Sequence, residues 1–204
     1  MTAPSPTHIG VMGAHSTGKT TLLKRIEREL RGHGITVART GKLGRRAASL
    51  GLPKMQHHTA ASTEWVIAQG IADEIAAATP RSEHAEPLQV VLADRAAWDA
   101  LAYYRAAQVW RRDRPNQPEH DRLTLLASTQ APKYSLLLAT VLDPALSVAG
   151  KHDHDGRYRT LVDRHTHRLL AEQDIPHERV TSDPDSQTHA VELALQLCLT
   201  EATP

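Results

Sequence analysis

The chain has 204 residues, 40% of them hydrophobic, which is enough for one buried core and short for two full domains. Its formal net charge is only +1 at pH 7, which argues against a disordered chain, a protein that binds nucleic acid through a basic surface and one that binds membranes through a basic face. The single cysteine, Cys198, excludes an internal disulfide and a cysteine-built zinc site, and we expect a cytoplasmic protein.

The first part of the chain predicts a βαβ unit. Residues 8–12 form a short apolar run that ends before a glycine, and residues 19–31 carry apolar side chains at helical spacing. The glycines at 32 and 34 end this helix, and the apolar, β-branched residues 35–38 indicate a second strand.

The middle of the chain indicates a helix and a buried strand. Residues 41–53 have no clear period, whereas residues 59–78 show the apolar spacing of a helix. The continuous apolar run over residues 88–93 is typical of a strand that is buried on both faces of a parallel sheet. A helix is expected to follow over residues 95–110.

The remainder of the chain continues the alternation of strands and helices. The sequence predicts a proline-broken loop over residues 111–120, a short helix over 121–131 and a strand over 134–142. A polar loop over 150–156, a helix over 157–172, a strand over 175–180 and a closing helix over 186–199 are expected to follow. This pattern predicts a single domain over residues 1–204, a three-layer α/β fold with a mostly parallel five-stranded sheet and helices on both faces.

Residues 13–20 lie between the first strand and the first helix and have the G-x-x-x-x-G-K-T spacing of a phosphate cradle. The glycines allow successive backbone N–H groups to point at phosphate oxygens, Lys19 adds a positive charge near the β- and γ-phosphates, and the Thr20 hydroxyl can ligate Mg²⁺. We therefore predict ATP and Mg²⁺ as ligands. The predicted nucleotide-binding residues are Gly13, His15, Ser16, Thr17, Gly18, Lys19, Thr20 and Thr21. His15 could instead fill a structural gap, and Thr21 could be a plain helix residue.

Asp94 follows the strand at residues 88–93. Because ligands gather at the carboxyl ends of parallel strands, this carboxylate can reach the Mg²⁺ shell or an incoming hydroxyl, although it could also simply cap the next helix. Arg95 could pair with a substrate anion. No glutamate follows Asp94, as it would in motor and remodelling ATPases, and the N-K-x-D pattern of GTPases is missing. The first fact favours phosphoryl transfer to a bound acceptor, and the second argues against a switch GTPase.

Several other side chains are candidates for acceptor contact. Trp98 or Tyr103 could stack on an acceptor ring, although core packing is the commoner role of such residues. Arg45 and Arg46 follow the second strand, at the sheet edge where an anionic acceptor would bind. The histidine-rich segments at residues 152–155 and 165–167 do not have the spacing of a transition-metal site.

These motifs give the chain a resemblance to the NadR-like nucleoside and nucleotide kinase group of P-loop proteins. The resemblance rests on the cradle, on Asp94-Arg95 with residues 98–103 after it, and on residues 155–157 before a helix. It implies the strand order 2-3-1-4-5, contact of Asp94 with the acceptor hydroxyl or the metal, and a lid over about residues 149–160 whose basic side chains close over the phosphates, namely Lys151, Arg157 and Arg159. Residues 40–42 depart from the acid-led segment expected after the second strand.

The sequence thus predicts an ATP-dependent small-molecule kinase that transfers the γ-phosphoryl group to a hydroxyl or phosphate of a nucleoside- or nucleotide-like acceptor. Lys19, Arg157 and Arg159 would stabilise charge and Asp94 would orient the nucleophile. The alternative is a nucleotide-binding ATPase or regulatory protein without a small-molecule acceptor. We expect no nucleic-acid or membrane partner, since the longest apolar run, residues 136–142, is too short to span a bilayer. The sequence leaves a homodimer open.

Overall fold

A five-stranded parallel sheet forms the central layer of the computed structural model, which describes residues 5–79, 88–145 and 155–201. The strands are β1 (Thr7–Met12), β2 (Val37–Thr40), β3 (Val90–Asp94), β4 (Tyr134–Thr140) and β5 (Glu178–Val180). They are arranged in the order β2-β3-β1-β4-β5, which confirms the order that the sequence resemblance predicted.

Helices follow or separate the strands. Within the described ranges they are α1 (Lys19–Gly32), α2 (Leu43–Ser49), α3 (Ala60–Ala78), α4 (Ala97–Arg111), α5 (Gln117–Ser128), α6 (Gly156–Glu172) and α7 (Pro184–Glu201), with short 3-10 helices at Met55–His57 and Ala131–Lys133. None of these helices is long and apolar enough to cross a membrane.

Several predicted segments differ from the structure, and strand β2, for example, spans Val37–Thr40 rather than residues 35–38. Residues 43–49, expected to be irregular, form α2. Helix α5 begins at Gln117 rather than at residue 121, because the Asn116 side chain caps it by accepting a hydrogen bond from the Glu119 N–H at 3.4 Å. Strand β5 is shorter than predicted and begins only after Pro176, which has no N–H to donate to a neighbouring strand.

Alternating side chains of the strands divide the core between the two faces of the sheet. In β1, Ile9 and Val11 point toward α1 and α7, whereas Met12 packs with the side chains of α4 on the opposite face. Both faces are therefore covered by helices, and the loops that follow the strands are left at one edge of the sheet. The cradle and Asp94 lie at this edge.

Candidate nucleotide and acceptor site

The loop between β1 and α1 folds closely against the end of β4. Gly13 has a φ of +140°, and a Cβ atom at this position would lie 2.1 Å from Thr140 Oγ1. The Thr140 hydroxyl donates a hydrogen bond to the Met12 carbonyl at 3.1 Å and lies 2.6 Å from Thr17 Oγ1. A side chain at residue 13 would therefore displace the loop, which explains the need for glycine there.

Lys19 turns its ammonium back into this loop. Lys19 Nζ donates hydrogen bonds to the carbonyl oxygens of Gly13, at 2.8 Å, and of Ala14. Burial lowers the pKa of Lys19 to about 8, although the carboxylates of Asp99 and Asp94 act in the opposite direction. The side chain is a buried positive charge beside the cradle, which is the group that a bound polyphosphate needs.

Thr20 and Asp94 meet at the mouth of the loop. The Thr20 hydroxyl donates a hydrogen bond to Asp94 Oδ2 at 3.3 Å, and Arg39 Nη2 lies 2.9 Å from the same carboxylate oxygen. A hydroxyl next to a carboxylate is an oxygen pair of the kind that Mg²⁺ prefers, so the residues fit the predicted metal. Arg39, which the sequence analysis did not single out, is the polar neighbour that orients this carboxylate.

A second carboxylate supports the cradle from behind. Asp99 has a side chain that is 1% exposed, and its Oδ1 atom accepts a hydrogen bond from the Gly13 N–H at 2.8 Å. Its Oδ2 atom accepts one from Arg95 Nη1 at 3.0 Å, and the Arg95 guanidinium lies 5.2 Å from the centroid of the Tyr103 ring. The backbone φ of Arg95 is +88°, a left-handed conformation that is uncommon for arginine. These contacts tie Arg95 to the cradle.

A cavity of about 1200 Å³ opens in front of these groups. It is lined by six of the predicted nucleotide-binding residues, His15, Ser16, Gly18, Lys19, Thr20 and Thr21. It is also lined by four of the predicted acceptor-binding residues, Arg45, Asp94, Arg95 and Tyr103. The structure thus brings most of the predicted site residues to one cavity.

Comparison with known proteins places the chain in a family. Residues 8–186 match the family model described as AAA domain. The chain belongs to this AAA domain family. None of the curated protein sequences matches this chain.

Two solved structures have folds similar to that of this AAA domain. One, "NadR protein in complex with NR", has a TM-score of 0.62 and 17% sequence identity and covers 94% of this chain. The chain spans about half of that protein, 51% of its length. The other, thymidylate kinase from Candida albicans, has a TM-score of 0.63 and 13% identity, and the match covers 98% of this chain and 94% of the kinase. The AAA domain is therefore a P-loop protein with a kinase-like fold.

Five predicted site residues are not among those that line the cavity of this AAA domain, namely Gly13 and Thr17 of the cradle and Trp98, Arg157 and Arg159. Trp98, expected as an acceptor contact, is 1% exposed and packs in the core with Met12 and its neighbours, because it is on the face of α4 that covers the sheet. Arg157 is exposed in the first turn of α6. Arg159, two residues later, is buried, and the roles predicted for the two arginines stay predictions.

The structure describes only part of the predicted lid and of the histidine-rich segments. Residues 149–154 of the lid, which include Lys151 and most of the segment at 152–155, lie outside the described residues, and the lid stays a prediction. Among the residues that are described, no group of three or more His, Cys, Asp or Glu side chains could hold a metal ion.

Two histidines pack at the inner end of the cavity. The His15 ring of the cradle lies 6.2 Å from the Tyr103 ring and 6.3 Å from the Tyr158 ring of α6, which connects the cradle to that helix. His58 is also buried, and burial, aided by the positive charges of Arg95 and Arg111, lowers its pKa to about 4. His58 is therefore neutral at physiological pH and presents an uncharged surface to the cavity.

Proposed function

We propose that this AAA domain is a kinase that transfers the γ-phosphoryl group of ATP to a small nucleoside- or nucleotide-like acceptor. The observation that carries the proposal is the position of the Thr20 and Asp94 pair in a single cavity that extends from the cradle to β2 and α2. A cradle that only held and hydrolysed a nucleotide would not need this additional space. The similarity of the fold to that of a thymidylate kinase supports the proposal.

Each residue near the cradle has a distinct role in this mechanism. The backbone of the cradle and the Lys19 ammonium would bind the β- and γ-phosphates, and Lys19 would stabilise the charge that develops during transfer. Thr20 and Asp94 would hold Mg²⁺, which supplies further neutralisation of phosphate charge when it is bound. Asp94 would also orient the attacking oxygen of the acceptor, while Arg39 keeps the carboxylate in place.

The order of residues after β3 supports acceptor transfer over hydrolysis. Position 95 carries an arginine where an ATPase would place a water-activating acid, and the side chain of this arginine is fixed by Asp99 and Tyr103 beside the cavity. A cation there can bind an anionic part of a substrate, but it cannot remove a proton from water.

The test is ADP release measured with and without acceptors. The folded protein is incubated with ATP, Mg²⁺ and a panel of nucleosides, nucleotides and other hydroxylated metabolites, and we expect release that depends on the acceptor. Asp94→Asn should retain nucleotide binding and lower transfer on the order of 10²- to 10³-fold, and Lys19→Ala should lower it by a similar factor. Asp121→Asn, an exposed carboxylate of α5, is the matched control. ADP release that is the same with every acceptor and without one would favour the ATPase or regulatory alternative.

A further inference from the structure

Part of the cavity wall outside the cradle is strongly cationic. Lys42, Arg45 and Lys54 line it, and we call these residues the α2 cation group because Lys42 precedes α2, Arg45 lies in it and Lys54 follows it in the chain. Within the described parts of the chain, none of the three forms a salt bridge. The group thus brings three uncompensated positive charges to a protein whose net charge is only +1.

Helix α2 is held so that one of its faces remains toward the cavity. Leu43 and Ala47 are buried, and the Leu43 side chain lies so close to Gly70 of α3 that a Cβ atom at residue 70 would be 3.2 Å from Leu43 Cδ1. Arg46 pairs with Asp73 of α3 and is therefore not directed to the acceptor, contrary to the expectation from sequence. Gly44, Arg45 and Ala48 of this helix line the cavity.

The α2 cation group is adjacent to the proposed catalytic carboxylate. Gly41 precedes the group with a φ of +147°, and a Cβ atom at this position would lie 2.9 Å from Asp94 Cβ, so the end of β2 is packed directly on Asp94. Asp94 is the one acidic residue among those lining the cavity in the described structure, and its carboxylate is already paired with Arg39. It cannot neutralise the α2 cation group as well.

Resting on the proposed kinase function, we propose that the acceptor carries a phosphate monoester, which binds to the α2 cation group. Such a group brings a charge of about −1.5 to −2 and three strong acceptor oxygens, which match three side chains that only donate. The rest of the acceptor would lie toward the uncharged surface of Met55, His58 and Tyr103. The acceptor is then a nucleoside monophosphate or a compound of similar chemistry rather than a neutral nucleoside.

The cations of the cradle do not account for this group. Lys19 is bonded to the Gly13 carbonyl of the cradle, and Arg95 is bonded to Asp99, which in turn accepts a hydrogen bond from the Gly13 N–H. The α2 cation group comes from a different part of the chain, residues 42–54. Filling the donor site before an acceptor is added therefore separates the two sets of charges.

The experiment is calorimetry on the full chain saturated with a non-hydrolysable ATP analogue and Mg²⁺. The common nucleoside 5′-monophosphates and their matching nucleosides are titrated into this complex. We expect at least one monophosphate to bind at least about tenfold more tightly than its nucleoside, since hydrogen bonds to charged groups are the stronger ones. Arg45→Gln should weaken monophosphate binding about tenfold or more and leave nucleoside binding unchanged.

Arg46→Gln is the matched control, because Arg46 is the next residue of the same helix and is paired with Asp73. It should leave monophosphate binding unchanged, and thermal melting would show that both variants are folded. Equal binding of nucleosides and monophosphates, absence of monophosphate binding, or an equal effect of the two variants would overturn the inference and leave the kinase proposal standing. Absence of binding of the ATP analogue would overturn both.

Discussion

Replacing Asp99 with asparagine tests whether a buried carboxylate holds the nucleotide cradle in shape. In the structure this carboxylate accepts hydrogen bonds from the Gly13 N–H at 2.8 Å and from Arg95 Nη1 at 3.0 Å. Asparagine is almost the same size and could still accept the first bond. Its amide has no charge, however, and can offer Arg95 at most a neutral oxygen that is already in use.

The expected loss of stability in Asp99→Asn follows from these two contacts. Converting the Gly13 bond from a charge-assisted to a neutral one costs about 1 kcal/mol, and the lost pair with Arg95 costs about 1–2 kcal/mol because the arginine side chain is 34% exposed and partly screened. We expect a loss of about 2–3 kcal/mol in the free energy of unfolding. For a chain of this size this corresponds to a decrease in Tm of about 4–12 °C.

Denaturant unfolding measures this loss directly. Asp121→Asn, with an exposed carboxylate on α5, is the control and should stay within about 0.5 kcal/mol of the parent. In a double-mutant cycle with Arg95→Met, the two substitutions should be non-additive, because they remove the same pair. If Asp99→Asn is no less stable than the control, the carboxylate does not support the cradle and the reasoning is refuted.

Two further predictions concern protons. Because the pKa of Lys19 is about 8 and a bound polyphosphate would raise it, binding of an ATP analogue at pH 8.5 should take up protons, and affinity should fall as the pH rises above 8. Calorimetry in two buffers with different heats of ionisation measures the uptake, and a Lys19→Met protein that takes up the same number of protons would contradict it. His58 has a pKa of about 4 in the folded protein against 6.5 ordinarily, so the unfolded chain binds more protons between these values. Stability should be lost as the pH falls from 6.5 to 4, by up to about 3 kcal/mol from this residue. The free energy of unfolding, measured with urea across this range, should depend less steeply on pH for His58→Gln than for the parent protein. The same pH dependence in both proteins would exclude the effect.

The sequence predicts well those parts of the site that consist of residues close together in the chain. The cradle is one continuous segment, and Asp94 directly follows a strand whose apolar run is unbroken. Because the carboxyl ends of parallel strands meet at one edge of the sheet, these two segments could be placed together before the fold was known. The strand order itself came from the resemblance to a family rather than from any pattern of hydrophobicity.

The parts that the sequence does not predict depend on distant contacts. Arg39 reaches Asp94 only because β2 lies beside β3, and Asp99 reaches Gly13 only because the first turn of α4 passes behind the cradle. Helix α2 escaped prediction because its buried stripe consists of just Leu43 and Ala47, too few residues to show a period. For Trp98 the sequence left both acceptor contact and core packing open, and the structure shows core packing, because its face of α4 covers the sheet.

The two carboxylates beside the cradle show how exposure separates two roles of the same residue type. The Asp99 side chain is 1% exposed and its oxygens bond to Gly13 and Arg95, so it is committed to the protein. The Asp94 side chain is 16% exposed, lines the cavity and shares its Oδ2 atom with Thr20 and Arg39, so it remains accessible to a ligand. Substitution of Asp99 should therefore mainly lower the stability of the protein, whereas substitution of Asp94 should mainly lower the rate of phosphoryl transfer. A protein in which the two substitutions had the same effects would not use these carboxylates as the geometry indicates.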